Sequence, residues 1–209
     1  MLYLPDTIWP CGTATTTHID RIDSPVVVME ELPELGARSV LTYGAWYGGR
    51  YALALPTDKG FELLPLLGDE TVNEVRVVPL ELLRNGRPQA IVLAMNYSGH
   101  TGWEHAIHER EWDLTVWDLK DRRCVLQLPV GYEREEWTNT LDTLATGELE
   151  VVDSEGTHDV ECYDITLAPG TITLTRTMEA PVIRNADLDV PEQVERIRYV
   201  LDGERWVRR

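Results

Sequence analysis

The feature that most limits this chain is a periodicity of two. RVVPLELL (76–83), QAIVLAM (89–95), DLTVWDL (113–119), CVLQLPV (124–130), ELEVV (148–152), DVECYDITL (159–167) and TITLTRT (171–177) alternate or run apolar over strand lengths. They are rich in Val, Ile, Leu, Thr, Trp and Tyr, whose branched or flat side chains pack well on a pleated surface. Turn signals separate them: Gly48-Gly49, Asp58-Lys59-Gly60, Asn85-Gly86, Glu155-Gly156, Pro169-Gly170 and Asp202-Gly203. Asn-Gly and Asp-Gly supply the positive φ that a tight hairpin requires. Turns at roughly ten-residue intervals describe an antiparallel meander. The expected fold is mainly β, an antiparallel meander or sandwich-like sheet with at most two short helices.

The two helical candidates are short. MEELPEL (29–35) allows one turn before Pro33 limits it. PEQVER (191–196) carries Pro at a favourable first helical position. From Arg196 onward the Asp202-Gly203 turn favours a closing hairpin. Trp46, Trp117 and Trp206 are expected in cores. No Pro- or Ser-rich linker divides the chain, which reads as a single domain over 1–209. In the alternative division, 143–209 forms an acidic C-terminal subdomain.

Charge narrows the function classes. Nineteen basic residues against 36 acidic ones give −17. Between Val130 and Glu195 sixteen acids are opposed by Arg134, Arg176 and Arg184, so that segment alone carries −13. Such a surface repels phosphates and anionic lipids and attracts basic proteins. Neither a nucleic acid nor a membrane is expected as partner, and no apolar run approaches the ~20 residues of a membrane span. The opening MLYLPDTIWPCG lacks a basic, then apolar, leader pattern. The expectation is a cytoplasmic protein, or a periplasmic one if a leader has been removed. Cys11, Cys124 and Cys162 lie far apart and form no metal spacing. Three thiols in a reducing compartment is the expected state, with a Cys11–Cys124 or Cys124–Cys162 bridge as the alternative.

The tract NYSGHTGWEHAIHERE (96–111) holds His100, His105 and His108 with Glu104 and Glu109 beside them. Imidazole and carboxylate are good zinc ligands, but HExxH is absent and HAIH is out of register for it. On a strand, His105 and His108 would point to opposite faces. Lying between the strands 89–95 and 113–119, the tract is expected to be a polar hairpin connection of about 16 residues. No metal and no cofactor are expected. His18 and His158 stand too isolated to add to it. NADLDVPEQVE (185–195) spaces Asn185, Asp187 and Asp189 as a calcium loop does, but Val190 stands where Gly is needed and Arg196 where Glu is needed. No serine sits in GxSxG, and no Gly-rich phosphate loop is present. Catalytic residues are therefore not assigned.

SGHTGW followed by LTVWDLKDRRCVLQL is similar to part of a WD-repeat propeller blade over residues 99–128. Gly99-His100 and Trp117-Asp118 match that family's two dipeptides. Sixteen residues separate them, about ten too few for the intervening strands, and no repeat of any period follows. GRPQAIVLAM and LTVWDL also resemble a strand pair of integrin-alpha-type blades, without the calcium loop. The local similarity implies strand, loop, strand, turn, strand.

By its whole-chain profile (small, acidic, β-rich) the protein resembles bacterial toxin-immunity proteins. That resemblance implies an acidic inhibitor that neutralises a basic toxin or enzyme by occluding its active site. Aromatic anchors and acidic rim charges would hold such a complex. The candidate partner-binding residues are Trp103, Glu104, His105 and His108 on the expected loop, with Glu133, Glu135, Glu136 and Trp137. The rival classes are an extracytoplasmic β-sheet protein binding a small ligand or glycan, and an unrecognised hydrolase.

Overall fold

In a computed structural model, residues 2–3, 26–43, 49–66, 74–144, 146–178 and 193–209 are described. They form three antiparallel sheets, mainly in successive meanders. The first contains β2 (Val26–Leu32), β3 (Ala37–Tyr43), β4 (Gly49–Thr57) and β5 (Gly60–Pro65). The second runs β6 (Glu74–Leu80), β7 (Gln89–Thr101), β8 (His105–Asp118), β9 (Arg123–Thr143) and β10 (Leu149–Cys162). The third contains β11 (Asp164–Ala168), β12 (Thr171–Met178), β13 (Gln193–Asp202) and β14 (Arg205–Arg208), with β1 (Leu2–Tyr3) added beside β11. The mainly-β expectation is met. Among the described residues the one helical element is a 3-10 turn, Pro33–Leu35, closed by Gly36 at φ 59°.

The second sheet is the middle layer. One of its faces supplies Ile91, Leu93, Met95, Trp112, Leu114 and Val116 to a core shared with Ile165, Leu167, Ile172, Leu174 and Ile197 of the third sheet. The other supplies Ala90 and Val92 to a core with Tyr51, Leu53, Leu55 and Leu66. Burial on both sides explains why 89–95 reads as a continuous apolar run, since neither face meets water. Pro79 sits in β6, at an edge of the middle sheet, the kind of strand to which proline is largely confined. Trp117 and Trp206 are each partly buried against a core; Trp46 lies outside the described residues.

Several expectations are corrected. The segment 96–111 is strand, not loop: β7 and β8 pair from Ala90↔Trp117 to Thr101↔Ala106 and leave Gly102-Trp103-Glu104 as the tip. Residues 193–196 of PEQVER pair with β12 as strand, so no helix forms there. Glu155-Gly156 is no turn but the middle of β10, opposite Thr138 and Trp137. The strand expected over 76–83 ends at Leu80. Its connection to β7 is an ordered loop rather than a two-residue turn, because the buried Gln89 organises it. Gln89 Oε1 accepts from the N–H groups of Leu82 (2.6 Å) and Leu83 (2.9 Å), and Nε2 donates to Asn85 Oδ1 (3.1 Å). Asp58-Lys59-Gly60, Pro169-Gly170 and Asp202-Gly203 do join strands as expected. Thr143, at the alternative boundary, ends β9 and pairs with Leu149. The candidate calcium residues Asn185, Asp187 and Asp189 lie outside the described residues.

Cys162 is disulfide-bonded, whereas Cys124 is a free thiol. The expectation of three thiols is corrected, as are both bridges through Cys124. Cys11 lies outside the described residues. No helix among the described residues is long and apolar enough to cross a membrane.

Candidate functional site

Beyond the two cores the middle sheet continues as an arm built from the ends of β7, β8, β9 and β10. From Gly131 to Thr143, β9 alone reaches roughly 40 Å at ~3.3 Å per residue. Residues directly opposite in an antiparallel pair share a face, so the register sorts every arm residue onto one of two sides.

One side collects acid. Glu109 opposes Arg134, and Ile107 opposes Glu136. On β10, Asp159 opposes Arg134, Glu155 opposes Thr138, Asp153 opposes Thr140 and Glu150 opposes Asp142. By count alone Glu150 would fall on the face opposite Asp153, Glu155 and Asp159. A register shift between Val151 and Asp153 brings it into phase with them. Glu161 opposes Tyr132 on the same side and is tied to Arg176 at 3.3 Å. Among the described residues no basic side chain pairs with Glu150, Asp153, Glu155 or Asp159. The same face carries a small network. His105 Nε2 lies 2.9 Å from Glu136 Oε1, Arg134 donates to Glu136 Oε2 at 2.8 Å, and Arg134 also reaches Glu109 at 3.4 Å. Hydrogen bonds from His105 and Arg134 hold the Glu136 carboxyl below its usual range.

The opposite side is aromatic and partly buried. Trp112 opposes Gly131, and its ring fills the space a Cβ on that glycine would need, 3.0 Å away. Trp137 opposes Gly156 in the same way, with Cδ1 at 2.7 Å from the position of a Cβ. His108 meets the Trp137 edge at 5.4 Å between ring centres, and its Nδ1 is hydrogen-bonded to the Tyr97 hydroxyl. That hydroxyl lies over Gly99, where a side chain would meet it at 2.6 Å.

Between these rings runs a chain of charges. Arg110 Nη1 donates to Glu133 Oε2 at 2.6 Å, and His158 Nε2 lies 2.9 Å from Glu133 Oε1 and 3.7 Å from Glu135 Oε1. Glu133 is only 4% exposed. Burial opposes its ionisation, but hydrogen bonds from Arg110 and His158, reinforced by their charges, outweigh it and hold the carboxyl below its usual range.

The sign of the resulting pH dependence follows. A carboxyl whose folded pKa lies below its unfolded value stabilises the fold fully above the unfolded value, and that stabilisation is lost progressively as pH falls from there through the folded value. Urea unfolding between pH 7 and pH 3 is therefore expected to show stability declining on acidification, with a shallower decline in Glu133→Gln. Equal slopes in both proteins would remove Glu133 as a source. Glu136 is exposed enough that screening leaves it a small share.

The eight residues singled out in the sequence thus do not form one surface. His105 and Glu136 lie on the acidic side. His108, Glu133, Glu135 and Trp137 lie on the aromatic side. Trp103 and Glu104 form the tip of the β7–β8 hairpin, pinned by Asn139, which donates to the carbonyls of Trp103 and Glu104 at 2.8 Å each. Trp103 is 71% exposed, as an anchor should be. Trp137 is no exposed anchor, because it is wedged between Gly156 and His108, and Glu133 is no rim charge, because it is buried. Two residues missed in the sequence complete the site: Arg110, and His158, which stands alone in the sequence but faces Glu135 across the strands.

By fold and site this is a three-sheet β protein with a two-faced projecting arm. No family model, curated protein or solved structure matches the chain.

Proposed function

We propose that this protein binds a basic protein partner through the acidic side of its arm, acting as an inhibitor that occludes a basic toxin or enzyme site. The observation that carries this reading is the alignment of Glu150, Asp153, Glu155 and Asp159 on one exposed face, with no basic partner among the described residues. A face on which acids outnumber bases, set on a projecting element, concentrates negative field and accelerates encounter with an opposite charge. Trp103 at the neighbouring tip adds an exposed aromatic of the kind that holds complexes together.

The test compares the native chain with the variant Glu150→Gln/Asp153→Asn/Glu155→Gln/Asp159→Asn. Basic proteins retained from the source cells at low salt are identified, and their association rates with both chains are measured. The variant is expected to associate at least about tenfold more slowly, to lose most of its salt dependence and to keep its unfolding midpoint. Equal retention by both chains, or no basic protein retained at low salt, sinks the reading.

A second reading, an extracytoplasmic protein that binds a small ligand or glycan, is favoured by the disulfide at Cys162, since such bonds persist in oxidising compartments. Inhibition of a basic protein outside the cytoplasm is compatible with the same bond. The bond favours an oxidising compartment over the cytoplasm in either reading.

A further inference from the structure

We propose that Glu133, Glu135 and His158 form a binding site for a divalent transition metal, with zinc the best match. The proposal is independent of partner binding, because these residues lie on the aromatic side of the arm, away from the acidic face.

The placement follows from strand geometry. Glu133 and Glu135 are two residues apart on β9, so both project from one face. His158 sits directly opposite Glu135 on β10 and diagonal to Glu133. One donor atom from each of the three lies within 4.8 Å of the others. Nε2 of His158 is 2.9 Å from Glu133 Oε1 and 3.7 Å from Glu135 Oε1. Tetrahedral ligands bound at about 2.0–2.1 Å stand ~3.4 Å apart, and the two observed separations bracket that edge. The donor set, one imidazole and two carboxylates, is borderline in hardness and suits zinc better than calcium or magnesium, which favour oxygen alone.

Two features distinguish this group from an ordinary acidic patch. First, Glu133 is buried and its carboxylate is divided between two tasks. Oε2 is held by Arg110 at 2.6 Å, while Oε1 is left toward His158. Metal-binding carboxylates are oriented in this way by an outer hydrogen bond. Second, the two glutamates share one face with the Arg110 guanidinium and two imidazoles, His108 directly opposite Glu135 on β8 and His158 directly opposite it on β10, so a divalent ion offsets the carboxylate charge left beyond Arg110. His158 is 53% exposed, which gives an ion an entry path and leaves a fourth position open to water.

The test uses the full chain without a histidine tag, in metal-free buffer near neutral pH. Zinc titrated by calorimetry is expected to bind at one equivalent with a dissociation constant in the micromolar range. Cobalt in its place should give the visible absorption of a four-coordinate ion with nitrogen and oxygen ligands. His158→Ala and Glu135→Gln are each expected to weaken binding at least tenfold while retaining the native circular dichroism spectrum. His105→Ala, on the other face, should leave affinity unchanged. Absence of stoichiometric binding at 100-fold excess of zinc overturns the proposal. So does zinc affinity lost in His105→Ala but kept in His158→Ala. An unaltered circular dichroism spectrum in the variants separates a lost ligand from a lost fold.

Discussion

Replacing Arg110 by methionine is expected to destabilise the protein by about 3 kcal/mol. Glu133 is nearly inaccessible and accepts a 2.6 Å hydrogen bond from Arg110. Removing one member of a buried pair strands the other charge, at a cost of roughly 3–5 kcal/mol. Two facts place the expected value at the lower end. His158 still contacts Glu133 Oε1, and Arg110 Nε is itself a buried donor without a hydrogen-bond partner, so methionine also removes an unsatisfied group. The sign of the pH effect is specific. In Arg110→Met the stranded carboxyl protonates more readily, so the gap from wild type should narrow as pH falls toward 4. The double variant Arg110→Met/Glu133→Gln should recover most of the loss, since neither charge remains buried. Urea unfolding at pH 7 and pH 4 measures all three proteins. A loss below about 1 kcal/mol for Arg110→Met, or no recovery in the double variant, refutes the account.

Strand identity was legible because the alternation is a direct consequence of the pleat. Ile91, Val92 and Val116 in 89–95 and 113–119 had to be buried, and they are, with Trp117 partly so. Strand length was not legible. The residues 96–111 are polar on both faces once the arm leaves the cores, so hydropathy ceases to alternate although the hydrogen-bond ladder continues. A sequence window sees His105, Glu109 and Arg110 and infers a loop. The structure satisfies each of them across the strands, with Glu136, Arg134 and Glu133 respectively. Polar residues can extend a sheet when their partners lie on the next strand, and that information is non-local.

The candidate site suffered from the same blindness, in two forms. His158 looked isolated because its partners Glu133 and Glu135 belong to the preceding strand, joined to it through a hairpin. The acidic face was visible as composition but not as a face, because the register shift near Val152 changes the parity of Glu150 against Asp153. No rule of alternation locates a bulge of that kind. What the sequence did contain was the spacing of Glu133 and Glu135, which puts both on one side of any strand, and Trp103 in a polar stretch beside Glu104.

Glycine misled most consistently, and it supports the second large prediction. Gly156 follows Glu155 as a turn signal would, yet it lies mid-strand under the Trp137 indole. Glycine in a strand ordinarily loses roughly 0.5–1 kcal/mol against alanine, so Gly156→Ala at an unconstrained site would stabilise. Here a Cβ would stand 2.7 Å from Trp137 Cδ1 and 3.2 Å from the Glu136 carbonyl oxygen. The ring has little room to yield, because its other side meets His108. Gly156→Ala is therefore expected to destabilise by about 1–2 kcal/mol and Gly156→Val by about 3 kcal/mol, as overpacking does. Trp137 should move toward solvent, which shifts its fluorescence to longer wavelength. The destabilisation should largely vanish in a Trp137→Leu background, because the smaller side chain relieves the overlap. Stabilisation in Gly156→Ala, or an unchanged Trp137 environment, would refute the claim that the Trp137 ring requires a glycine beneath it.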